Sequence, residues 1–136
     1  MKIFKIAYSD WICEIELMNF YEADEFDLGY EFEASINIKC KGYSAKTNSF
    51  YFTNKDLNEF YKSIKRLSKG QEENLVFKSM SDELVLRFNK INNGFTIIVD
   101  YKKLEDEDQL STYTNCDYFT LEYIIKDLDT FFLSFH

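Results

Sequence analysis

From Trp11 to Lys39 apolar and polar residues alternate with a period of two, and this alternation constrains the fold more than any other feature. Trp11, Cys13, Ile15 and Leu17 fall on one face, with Ile12, Glu14, Glu16 and Met18 on the other. Tyr30, Phe32, Ala34, Ile36 and Ile38 then alternate with Glu31, Glu33, Ser35, Asn37 and Lys39. Successive side chains of a strand point to opposite faces. The pattern therefore predicts antiparallel strands with one face in the core and one in water. The acidic stretch from Tyr21 to Leu28 joins the two runs as a hairpin centred near Asp24 and Glu25. Lys2 to Tyr8 reads as another strand, and so does the run from Tyr43 to Phe52.

The period then changes. Leu57, Phe60, Tyr61, Ile64 and Leu67 recur at three- and four-residue steps, one face of a helix. Thr53 or Asn54 can cap its start, Lys62, Lys65, Arg66 and Lys69 crowd its cation-favouring end, and Gly70 supplies a left-handed stop. Strand periodicity returns at Leu75 to Met80 and at Leu84, Leu86 and Phe88. Asn92-Asn93-Gly94 predicts a tight hairpin turn in which both central residues tolerate positive φ. Phe95 to Tyr101 forms the returning strand, Glu105 to Asp108 a loop, and Leu110 to Tyr118 a last strand rich in Thr and Tyr. A closing helix carries Leu121, Ile124, Ile125, Leu128, Phe131, Phe132 and Phe135 on one stripe, with Thr120 as its expected N-cap. Two runs of strands, each followed by one helix, predict an α+β fold: a mostly antiparallel sheet of about seven or eight strands with two helices packed on it.

At 136 residues the chain is expected to be a single domain, 1–136. Acids outnumber bases by 24 to 16, for a net charge of -8. That balance argues against a nucleic-acid binder, whose affinity comes from Lys and Arg on phosphates, and against docking on an anionic membrane. The amino terminus has no apolar run of signal-peptide length, and no stretch is long enough for a membrane helix. Cys13, Cys40 and Cys116 are odd in number and scattered, which predicts reduced thiols in a cytoplasmic protein and no zinc motif. The single histidine is His136. An internal imidazole is therefore missing for Ser-His or Cys-His catalysis and for a His general base. The four glycines stand singly, so no phosphate-cradling loop is present. Glu105-Asp106-Glu107-Asp108 lacks the alternate-position acids and the central glycine of a calcium loop. Neither a metal nor a cofactor is expected, and no catalytic residue stands out.

Charge placement carries the functional signal. Residues 1–36 hold nine acids against Lys2 and Lys5, a net of -7, whereas residues 37–69 carry a net of +6. The hairpin pattern sets Glu14 and Glu16 on a solvent face with Glu31 and Glu33, and adds Asp24, Glu25 and Asp27 in the loop. Like charges across neighbouring strands destabilise a sheet by a few tenths of a kcal/mol up to about 1 each. Such a face is explained either by solubility or by a cationic protein that it meets. The basic middle segment could instead neutralise these acids within the fold. Most aromatic residues read as core, whereas Tyr21, Tyr113 and Tyr118 suit a protein interface, where Tyr is enriched.

The order of these motifs is also familiar. Phe52-Thr53-Asn54-Lys55-Asp56-Leu57-Asn58-Glu59-Phe60 leads into Ile64 and Leu67. After Gly70 come Asp82 to Phe88 and Gly94 to Val99, and an aromatic strand runs into Leu121 to Leu128. From about residue 50 onward this resembles the WapI-type immunity proteins of bacterial polymorphic toxin systems. Asp117-Tyr118 stands where that family often has Asp-Gln. The resemblance implies a small cytoplasmic protein that binds a cognate protein toxin and blocks it, without catalysis. Such toxins are often nucleases with basic active sites, which an acidic inhibitor can occupy. The alternatives are a carboxylate-dependent hydrolase, which requires acids facing each other in a pocket, and a non-catalytic adaptor domain. The sequence carries no signal for oligomeric state.

Overall fold

The computed structural model describes residues 1–23 and 29–134. Five strands form a first antiparallel sheet: β1 (Lys2–Tyr8), β2 (Trp11–Ala23), β3 (Gly29–Cys40), β4 (Tyr43–Lys46) and β5 (Phe50–Thr53). They run in the order β1-β2-β3, and β4 and β5 both pair with β3. Helix α1 (Asn54–Ser68) follows. A second antiparallel sheet has the order β6-β7-β8-β9, from β6 (Asn74–Lys78), β7 (Leu84–Ile91), β8 (Gly94–Lys103) and β9 (Asp108–Cys116), and α2 (Tyr118–Leu133) closes the described chain. The α+β class stands, with nine strands divided between two sheets.

Local chemistry explains the element ends. Thr53 caps α1: its Oγ1 accepts from Asp56 N (3.1 Å), and Asp56 Oδ2 accepts from Thr53 N (2.9 Å), a reciprocal capping box. At the other end Gln71 N donates to Arg66 O (2.9 Å) and Gly70 N to Leu67 O (3.2 Å), with Gly70 at φ +73. This closure satisfies the last helix carbonyls, and it needs a residue that is easy in the left-handed region. The cap of α2 is Asp117 and not Thr120, and the preceding strand stops at Cys116. The Asp117 carboxylate accepts from Thr120 N (3.2 Å), so Thr120 sits three residues inside the helix and is buried. The run from Tyr43 to Phe52 is two strands, because the chain leaves β3 at Thr47–Ser49 and rejoins it one register later. Ile91 pairs with Gly94 across a two-residue turn, yet neither Asn92 nor Asn93 has a positive φ. Gly94 is needed for a different reason: an added Cβ would lie 2.0 Å from the Cys116 carbonyl oxygen.

One aromatic core links both sheets and both helices. Phe4 stacks on Phe60 of α1 (5.2 Å), Phe60 meets Phe88 of β7 (5.9 Å), Phe52 meets Phe77 of β6 (5.4 Å), and Phe32 meets Phe131 of α2 (5.5 Å). The α1 stripe Leu57, Phe60, Ile64 and Leu67 is buried throughout. Asp127 of α2 accepts from Lys5 N (2.9 Å) and pairs with Lys2 Nζ (3.1 Å), which ties the helix to edge strand β1. Trp11 Nε1 donates to Thr112 Oγ1 (3.0 Å) and joins the two sheets. With its inner face so covered, the first sheet presents its other face to water.

Candidate protein-binding face

The β2–β3 register decides what that outer face contains. Cys13 pairs with Ile38 and Ile15 with Ile36, and both rows are buried. Glu14 pairs with Asn37 and Glu16 with Ser35 in the rows between them. A bulge at Met18 then shifts the register, so Asn19 pairs with Glu33 and Tyr21 with Glu31. An extra residue in one strand exchanges the faces of everything beyond it. Beyond Met18 it is therefore the odd-numbered residues of β2 that point outward, and Tyr21 joins Glu31 and Glu33. On the far side of β3, Tyr51 pairs with Glu33 and Thr53 with Glu31. Strand alternation thus sets Glu14, Glu16, Glu31 and Glu33 on one face. The hairpin is not centred near Asp24 and Glu25: Ala23 pairs with Gly29, which moves the centre on to Phe26. Asp24, Glu25 and Asp27 lie outside the described residues.

The four glutamates form two groups with different neighbours. Glu14 lies opposite Lys5, and Glu16 opposite Lys2. With Ile12, Asn37, Lys39 and Ser44 they line a cleft of about 390 Å³ into which Lys5 also projects. Partial burial raises the pKa of Glu14, a hydrogen bond with Glu16 and that residue's charge raise it further, and Lys2 and Lys5 pull the other way. The second group has no cation in its strand register. Glu33 accepts from Tyr21 OH (3.3 Å, Oε1) and Tyr51 OH (3.1 Å, Oε2), and Asn19 Nδ2 donates to Tyr21 OH (3.2 Å). Loss of water around the hydroxyl, with the charge of Glu33, raises the Tyr21 pKa. Among the described residues the ion pairs are Lys2–Asp127, Arg66–Glu72 and Arg87–Asp100, so none of the four outer glutamates is held by one. The basic segment from Lys39 to Lys69 does not neutralise them by direct pairing.

A family model described as the immunity protein WapI-like family matches residues 8–136. The chain belongs to the WapI-like immunity protein family. No curated protein matches it. The family match takes in both long strands of the hairpin, and with them the whole outer face on β2 and β3.

Other chemistry finds few footholds in this WapI-like chain. Burial pushes the Cys13 thiol up to about 12 and the Cys116 thiol up to about 11, so both stay protonated and poorly nucleophilic. No group of three or more His, Cys, Asp or Glu among the described residues is arranged to hold a metal ion. No described helix is long and apolar enough to cross a membrane. The three surface tyrosines expected at an interface are separated: Tyr21 lies on the acidic face, Tyr113 pairs with Ile98 on the second sheet, and Tyr118 packs against Phe95 at the start of α2. Tyr51 escaped the sequence reading, because only the register across β3 brings it to Glu33.

Proposed function

We propose that this WapI-like protein is a cytoplasmic antidote that works as one domain. It binds a cognate toxin domain with a basic, nuclease-like surface and inhibits it by occlusion, without catalysis of its own. The observation that carries this reading is the outer face of the first sheet, where four glutamates share a surface free of ion pairs. Holding like charges together costs stability, and a complementary cationic partner recovers it while speeding encounter. The same charge disfavours phosphate backbones and anionic lipid. Asp24, Glu25 and Asp27 extend the proposed contact along the hairpin.

The test is a variant with Glu14, Glu16, Glu31 and Glu33 all reversed to Lys, co-expressed with the toxin domain encoded beside this gene. The expected result is loss of protection and an association rate at least tenfold slower. Protection equal to the parent's would show that another surface does the work. The Glu14–Glu16 cleft favours a second reading, a carboxylate-dependent hydrolase. Two carboxyls in mutual hydrogen-bond contact, however, leave no room for a scissile bond between them. Protection that requires stoichiometric protein favours binding; protection at a small fraction of the toxin concentration favours the hydrolase.

A further inference from the structure

Resting on the immunity reading, we infer that the strip Tyr21–Glu31–Glu33–Tyr51 is the seat of an arginine side chain from the toxin, and that it anchors the complex. The two acidic groups on the face are not equivalent. The register partners of Glu14 and Glu16 include Lys5 and Lys2, so intramolecular cations already moderate that field. The partners of Glu31 are Tyr21 and Thr53, and those of Glu33 are Asn19 and Tyr51, none of them cationic. The negative potential is therefore least compensated at the hairpin end of the face.

Geometry selects guanidinium over ammonium. Each oxygen of the Glu33 carboxylate accepts one tyrosine hydroxyl, which fixes its plane and leaves about two lone-pair sites open. A rigid carboxylate with one free site on each oxygen matches the planar fork of arginine. Rings of tyrosines on both sides offer faces over which a guanidinium is attracted. The surroundings also suit a protein partner. Phe20 is 48% exposed and Tyr21 46% exposed on adjacent positions of β2, and exposed aromatic residues around a charged centre match the composition of interface hot spots.

An independent observation comes from Ser35, the next outward residue of β3 after Glu33. It is fully buried, and its Oγ has no hydrogen-bond partner. Unsatisfied buried hydroxyls are uncommon, and they mark places where a group is missing. A donor brought in beside Glu33 by a docked partner lies next to that hydroxyl.

The experiment measures binding of the toxin domain encoded beside this gene by surface plasmon resonance. Glu33→Gln keeps the shape and removes the charge. The expected loss is roughly 10- to 100-fold in affinity, mostly in dissociation rate, as for a charged hydrogen bond removed from an interface. Tyr21→Phe with Tyr51→Phe frees the carboxylate plane, and is expected to weaken binding several-fold with the charge intact. Glu122→Gln, an equal charge change on the exposed side of α2, is the control and is expected to leave affinity within about threefold. One toxin arginine should couple to Glu33 in a double-mutant cycle, and its replacement by Lys should not restore the lost affinity. If the wild-type chain does not bind the toxin domain, the immunity reading falls and this inference falls with it. If the wild type binds and Glu33→Gln binds as well as Glu122→Gln, the arginine seat alone is overturned.

Discussion

Gly94→Ala is the sharpest test of the packing between the second sheet and α2. An added Cβ would meet the Cys116 carbonyl oxygen at 2.0 Å, the Cys116 carbonyl carbon at 3.0 Å and Asp117 Cα at 3.3 Å. A carbon–oxygen contact relaxes at roughly 3.3 Å or more, so the two segments must part by about 1 Å. All three atoms are backbone, and no side chain can swing away. They include the last rung of β9, where Cys116 pairs with Phe95, and the residue that caps α2. The expected cost lies at the upper end of overpacking, about 3 kcal/mol, out of a total stability of roughly 5–15 kcal/mol. At an m value of about 2 kcal/mol/M, the urea midpoint should fall by about 1.5 M. Gly42→Ala is the comparison: Gly42 sits at φ +85 with nothing within 4 Å of its added Cβ. There only the left-handed backbone is penalised, by about 1 kcal/mol. If Gly94→Ala proves no more costly than Gly42→Ala, the close approach of β8 to the β9–α2 junction is wrong.

Two further outcomes concern charge and thiols. The folded state raises the Glu14 pKa above its unfolded value, so ionised Glu14 destabilises the fold at neutral pH. Glu14→Gln is therefore expected to stabilise the protein by a few tenths of a kcal/mol at pH 7. Wild-type stability from this group rises as pH falls through the folded pKa, and the advantage of Gln disappears near the unfolded value of about 4.3. Parallel urea titrations at pH 4 and pH 7 check the sign; a larger gain at pH 4 contradicts it. Iodoacetamide at pH 8 should modify half-buried Cys40 first and leave Cys13 and Cys116 protected until the chain unfolds. Mass spectrometry of digests reads the order, and early labelling of Cys13 would refute its burial.

Much of the architecture is legible in local pattern. The alternation from Trp11 to Ile38 places Cys13, Ile15, Phe32, Ala34, Ile36 and Ile38 in the core, and each is buried. The Leu57–Phe60–Ile64–Leu67 stripe and Gly70 locate α1 and its end, because period and capping are properties of a single segment. What local pattern does not carry is pairing between segments. Nothing in Leu17-Met18-Asn19 announces a bulge, since its location depends on which residue of β3 lies opposite. The division of nine strands into two sheets is likewise a matter of long-range contacts. Thr120 and Asp117 are both good capping residues, and the choice between them follows from where β9 stops against β8. For the candidate face, alternation groups the four glutamates correctly. It is the register that separates Glu14 and Glu16, set among lysines, from Glu31 and Glu33, set among tyrosines.

The most direct measurement is the association rate of this protein with the toxin domain encoded beside its gene, followed as sodium chloride rises from 50 to 500 mM. If docking is driven by the acidic face, the screening length contracts from roughly 14 Å to about 4 Å over that range. The rate should then drop by at least tenfold, and the quadruple Glu-to-Lys variant should lose the dependence. A rate that is unchanged across the series, or a variant that responds to salt as the parent does, would contradict the claim that these carboxylates meet a cationic partner.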